Sequence, residues 1–357
     1  MAASFSFGFS GDDIEEDPND ISAPGGNSEN QKAEEGGPPP LIAQTHDLDE
    51  LLSSIPDKIS YSTLSITSPK GFTTRLPRRE LFDVRLQLMA EDGNSTSNPL
   101  SGLDASDVKT NVYEGGYKTW ECSIDLVKFL LDRGPRKDLD DLVRVNHVIE
   151  MGCGTALPTL LLFQYALKNG LVGLYVTLTD YNADVLRLVT VPNLLLAYAS
   201  TIAAREAPFS NDSPNPLADE NADSGDLYIT PTFLQAFRST LSSLGLTLTL
   251  LSGSWRPVSS LLPLIPSAPE LNTFVLASET IYSPTSLLAF TEAMAALLKR
   301  VKSGKAIVAA KRVYFGVGGS VDGFRQECAN RGLVAYEMEF EGLEEGVRRC
   351  LVEVQMY

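Results

Sequence analysis

The stretch VIEMGCGTALPTLLL, residues 148–162, most constrains what this chain can fold into. The apolar run ending at Glu150 reads as a buried strand, and the pattern after it reads as a helix over 156–168. Between the two, Gly152 and Gly154 let the backbone turn sharply and lie close to a ligand. Free N–H groups at the start of a helix favour a carboxylate or a phosphate. A nicotinamide dinucleotide site calls for a third glycine at position 157, where this chain has Leu157. The turn therefore fits a ligand ending in an amino acid better than a dinucleotide, and a glycine-rich turn without any ligand is the alternative.

The rest of the chain repeats that strand-to-helix unit. Strands are expected at 145–150, 172–179, 246–251, 273–278 and 306–310, and helices at 119–131, 156–168, 183–198, 233–244, 286–301 and 321–330. Two closing strands follow at 334–339 and 348–355. Such alternation predicts an α/β fold: a mostly parallel, Rossmann-like sheet of seven strands with helices on both faces and a C-terminal antiparallel pair. Three regions are expected. Residues 1–60 form a disordered acidic arm, 61–112 an extension packing on the core with a strand near its start and a connection through Pro77, and 113–357 the ligand-binding domain, interrupted by a disordered insertion at 207–226. Within the arm, Leu48, Leu51, Leu52 and Ile55 are spaced for a short amphipathic turn or two, and SFSFGF sets Phe5, Phe7 and Phe9 on one side of an extended strand. That opening is either a docking peptide or an end without a role.

Charge narrows the partners. Of the formal charge of −17, the first 60 residues carry 13 Asp or Glu against two Lys. An acidic surface argues against a nucleic-acid groove and is compatible with a basic protein partner, or with a solvated tail. Cys122, Cys153, Cys328 and Cys350 stand apart, and His46 and His147 are the only histidines, so no metal site is expected. No apolar run is long enough to span a membrane, and the first twenty residues mix Phe with Asp and Glu, unlike a secretory leader. A reducing compartment, cytosol or nucleus, is expected.

Further strand ends carry suitable groups. Asp180, in TLTDYN, ends the next strand and is placed either to accept from both ribose hydroxyls of a nucleoside or to cap the following helix. Asn182 is free to serve as that cap. LTLTLLSGSW ends in Gly253, Ser254 and Trp255, whose indole either covers an adenine or belongs to the core. FVLASETIYSP ends in Ser278 and Glu279, with Tyr282 three residues on. Ahead of the first strand, YEGGYKTWECSIDLV offers Thr119 as an N-cap and its two consecutive glycines with Trp120–Glu121 as a segment that closes over the ligand, Glu121 accepting from an ammonium group. Trp120 as a core anchor is the alternative.

Together YEGGYKTWECSIDLV, EMGCGTALPTLLL, TDYNADVLRLVTVPNLLLA, ASETIYSP and KRVYFGVGGSVDGF resemble the histidine protein methyltransferase family of fungi and animals, and SFSFGF resembles the start of its fungal members. The wider group of seven-strand protein methyltransferases often carries Asp-x-x-Tyr where this chain has Glu279-x-x-Tyr282, and the narrower family carries Glu there. The resemblance implies S-adenosyl-L-methionine as cofactor and a ring nitrogen of one histidine in a large-subunit ribosomal protein, the third, as acceptor. It implies cofactor contacts at Thr119, Trp120, Glu121, Cys122, Ser123, Gly152, Gly154, Asp180, Tyr181, Asn182, Gly253, Ser254, Trp255 and Ser278. Glu279 is then the candidate acceptor for the substrate's ring N–H, with Tyr282 shaping the pocket. Lysine methylation on the same fold, or a chaperone holding a basic ribosomal protein, are the competing readings.

Overall fold

In a computed structural model of the chain, residues 41–91, 116–133, 145–341, 343 and 348–357 are described. Eleven strands occur among them: β1 (Gln44–His46), β2 (Lys58–Thr67), β3 (Thr73–Arg79), β4 (His147–Met151), β5 (Tyr175–Asp180), β6 (Ser224–Tyr228), β7 (Thr247–Ser252), β8 (Thr273–Ser278), β9 (Gly304–Lys311), β10 (Leu333–Met338) and β11 (Arg349–Met356). The main sheet runs β1-β7-β5-β4-β8-β9-β11-β10. The five strands from β7 to β9 are parallel, and β11 lies antiparallel between β9 and β10. This is the Rossmann-like α/β architecture with its C-terminal antiparallel pair.

Alternate residues of each central strand enter opposite cores, as a sheet covered on both faces requires. Val148, Leu276 and Ile307 join the core beneath the helices Glu121–Arg133, Leu157–Lys168 and Val191–Ala199. Their neighbours Ile149, Val275 and Val308 join the core beneath Pro284–Lys299 and Val321–Asn330. The helices after β4 and β8 thus leave on opposite faces, and the ends of those adjacent strands form the crevice where such sheets bind ligands.

Four expectations need correction. The sheet has eight strands rather than seven, because Gln44–His46, placed in the acidic arm, pairs antiparallel with the β7 edge. The boundary at residue 60 falls inside β2, whose Ile59 and Tyr61 are buried. The stretch 207–226 contains the buried Asn215, whose amide donates to the carbonyls of Ala199 and Ile202, and it runs into β6. With β3, β6 flanks β2 in a second, three-stranded sheet. Pro77, read as a connection, sits in β3 opposite Thr63; β3 is an edge strand, where a missing N–H is tolerated. The Phe5, Phe7 and Phe9 motif and the polar loop at 93–99 lie outside the described residues. Among the described residues, no helix is long and apolar enough to cross a membrane.

A single buried amide joins the small sheet to the glycine turn. Asn193 accepts from the Arg79 N–H of β3 at 2.7 Å and donates to the Thr155 carbonyl at 3.0 Å. Removing it leaves a buried donor and a buried acceptor without partners. Asn193→Ala is expected to cost about 2–4 kcal/mol in urea unfolding; a loss within experimental error would mean that water or a neighbour replaces both bonds.

Candidate active site

The ends of β4, β5, β7 and β8 surround one cleft. Its wall is formed by Gly152, Gly154, Asp180, Tyr181, Gly253, Ser254, Trp255, Ser278, Glu279 and Tyr282, with Trp120 and Ser123 contributed from ahead of β4. Gly116, one of the paired glycines expected to close over the ligand, also lines it, as do Lys118, Cys153, Thr155, Thr280 and the Ser283–Ser286 helix start, which were not foreseen. The Thr and Ser residues among them carry no spacing signal in the sequence.

Gly152 and Gly154 both adopt left-handed backbone, at φ of 67° and 49°. A Cβ on Gly154 would stand 3.1 Å from the Gly116 carbonyl oxygen, and one on Gly152 would stand 2.8 Å from the Thr280 methyl. The turn is therefore crossed closely by the segment ahead of the Glu121–Arg133 helix. Asp180 holds the same junction from below. Its Oδ2 accepts from the Gly154 N–H at 3.0 Å, and its Oδ1 accepts from the Asn182 N–H at 3.0 Å. Burial pushes its pKa up to about 6 against the pull of those amides. Behind it, burial pushes Glu150 up to about 8, although its Oε2 accepts from the Thr159 N–H at 3.0 Å.

At the other end of the cleft stands Glu279, a non-glycine residue at φ 57°. Such left-handed backbone is a strained choice that surrounding structure must enforce, and it concentrates at functional positions. Its N–H donates to the Ala309 carbonyl at 3.0 Å, which fixes the turn against β9. Its side chain is about 10% exposed, and Oε1 is buried without a hydrogen bond among the described residues. Lys311 Nζ lies 3.5 Å from that oxygen and also lies over the rings of Trp120 and Tyr314, at 5.2 and 6.0 Å. Burial, and after it the Glu279 charge, push the Cys122 thiol and the Tyr314 hydroxyl upward, so both stay protonated beside the carboxylate. Neither Lys311, the last residue of β9, nor Tyr314, just beyond it, was singled out by sequence.

Four of the expected positions do not line the cleft. Glu121 is exposed at the first position of its helix, whose buried face begins at Cys122. An acid there suits the helix dipole instead. Cys122 is buried behind Glu279 rather than on the wall. Thr119 lies before the helix, its hydroxyl donating to that of Thr155 at 3.4 Å. Asn182 takes the N-cap position, yet its side chain makes no capping bond. Trp255 is on the wall, but its indole N–H donates to Thr179 at 3.1 Å and its ring meets Phe290 edge-on at 5.7 Å. It serves as a fixed wall beside Gly152.

No family model matches the chain. It is 38% identical to histidine protein methyltransferase 1 of Saccharomyces cerevisiae over 78% of this chain and 74% of that protein. It is 36% identical to histidine protein methyltransferase 1 of Schizosaccharomyces pombe over 90% of this chain and 84% of that one. The chain belongs to the histidine protein methyltransferase 1 family. Magnesium protoporphyrin IX methyltransferase from Synechocystis, solved with SAH bound, aligns at a TM-score of 0.34 and 10% identity over 66% of this chain and 82% of that one, a likeness too slight to build on.

S-adenosylmethionine is the cofactor that the resemblance of the motifs implies for a chain of this family, and the wall fits it. Where side chains would fill the turn there are glycines, and the buried Asp180 carboxylate, held by the Gly154 and Asn182 N–H groups, stands on the same wall.

The buried Glu150 makes stability depend on pH. Its raised pKa means that the folded chain keeps a proton which the unfolded chain has released. Its contribution is present below the ordinary 4.5 and is lost as pH rises through about 8. Wild type should therefore lose stability relative to Glu150→Gln across that window, by up to about 1.4 kcal/mol per pH unit. Urea unfolding of both proteins at several pH values tests this; a constant difference would contradict it.

Proposed function

We propose that this chain methylates a ring nitrogen of one histidine in a large-subunit ribosomal protein, the third, and that Glu279 selects the nitrogen. Protein-histidine methylation with S-adenosylmethionine follows from its family. The ribosomal acceptor rests on the resemblance of its motifs.

Bound S-adenosylmethionine supplies an already activated methyl group, so the residues of the chain have mainly to position the acceptor. Gly152, Gly154 and Gly116 would give the cofactor a close backbone surface, Asp180 would accept from its ribose, and Tyr181 and Ser254 would border it. An imidazole of ordinary pKa near 6.5 is mostly neutral at pH 7. A carboxylate that accepts from one ring N–H leaves the lone pair of the other nitrogen exposed as nucleophile. Glu279 supports that role because it stands on the cleft wall and its buried Oε1 has no hydrogen bond among the described residues. Lys311 and the protonated Cys122 and Tyr314 hold the carboxylate in place. Tyr282 borders the same pocket. A lysine acceptor would have to lose a proton from an amine of pKa about 10.4; Glu279 already has a cationic ammonium beside it in Lys311, which disfavours a second.

Two outcomes test the reading. Glu279→Gln should lower the methylation rate on the purified third large-subunit ribosomal protein by about a hundredfold, with cofactor affinity within twofold of wild type; an unchanged rate would remove Glu279 from the mechanism. Cofactor affinity of wild type should fall as the pH drops through about 6, where Asp180 takes up its proton, and Asp180→Asn should bind weakly with no such step. Calorimetric titration across that range reads both, and a flat wild-type profile would show that Asp180 does not accept from the ligand.

A further inference from the structure

The turn between β9 and the Val321–Asn330 helix holds apolar side chains outward. Val313 is 46% exposed, Val317 50% and Phe315 86%. Exposed apolar side chains grouped on one short turn mark a contact surface more often than scattered ones do. The turn is also well fixed. Val313 bridges Ser320, and the Tyr314 N–H donates to the Gly319 carbonyl at 2.9 Å. The N–H groups of Val317 and Gly318 donate back to the Tyr314 carbonyl at 3.2 and 3.0 Å.

A second set of bonds ties this turn to the cleft. The Gly319 N–H donates to the Tyr282 carbonyl at 3.0 Å, and the Tyr314 hydroxyl accepts from the Lys311 N–H at 3.2 Å. Gly319 has no room for a Cβ, which would collide with the backbone of Ile281 and Tyr282. The cleft wall at Tyr282 and the turn bearing Phe315 are thus one backbone assembly. The nearest charged side chain of the turn, Arg312, is paired with Glu337, so the face offers little net charge.

We propose that Phe315, with Val313 and Val317, seats apolar side chains flanking the methyl-accepting histidine of the protein substrate. This rests on the reading that Glu279 and Tyr282 receive that histidine. A polypeptide that delivers an imidazole to them continues outward beyond it, and the turn bonded to Tyr282 is the surface its neighbouring residues meet. The turn's apolar, charge-neutral character sets the chemistry of those neighbours.

The test uses full-length enzyme, methyl-labelled S-adenosylmethionine and a protein extract from cells lacking this chain, which holds the unmethylated acceptor whatever its identity. Phe315→Ala should require about tenfold more extract for half-maximal labelling of the acceptor band. Its maximal rate and its affinity for the cofactor should stay within twofold of wild type, and Phe315→Leu should recover most of the loss. An unchanged dependence on extract, or a fall confined to maximal rate or cofactor affinity, would overturn the proposal. So would dissociation of a dimer in sedimentation with labelling unchanged, because the face would then join two copies of the chain. The identity of the labelled band reports separately on the ribosomal acceptor: a non-ribosomal band would remove that assignment and leave the Phe315 comparison valid.

Discussion

The carboxylate of Asp180 binds the glycine turn after β4 through one oxygen and its own following turn through the other. Buried at the end of β5, it ties that strand end to the turn that follows the neighbouring β4. The Gly116 backbone crosses the same spot, close enough that neither Gly154 nor Gly116 can gain a side chain without displacing its neighbour. Asn193 then carries the constraint outward to β3 and the second sheet. The cofactor end of the cleft is in this way set by hydrogen bonds within the protein, before any ligand arrives.

The acceptor end obeys a different constraint. Glu279 is held in left-handed backbone by β9, and its charge stands beside one ammonium and two protonated groups, those of Lys311, Cys122 and Tyr314. A carboxylate so placed can accept from a ring N–H that reaches it from the cleft. Preorganised acceptors of this kind lower the reorganisation required at the moment of reaction. The two ends meet at Gly152, which faces Thr280 and Trp255.

Much of this was legible in the sequence, and the reasons are local. The strands from β4 onward are apolar runs buried on both faces, and the expected limits 273–278 and 321–330 coincide with β8 and the helix that follows β9. Asp180, Trp255 and Glu279 stand at strand ends, so the parallel sheet gathers them. What escaped depended on pairing across long separations. β1 is three residues in an acidic stretch and gains its structure from β7; β3 carries a proline; β6 follows a polar loop and exists through β2. Glu121 opens its helix on the exposed side, one residue before the buried face, and so stands off the cleft wall. Lys311 and Tyr314 reach Glu279 only because β9 lies next to β8.

The central claim is that this cleft delivers a methyl group to a protein histidine. Amino-acid analysis of large-subunit ribosomal protein, from cells with the chain and cells without it, tests this most directly. Methylhistidine should disappear when the chain is absent and return with wild type but not with Glu279→Gln. Retention of methylhistidine with loss of methyllysine would contradict it.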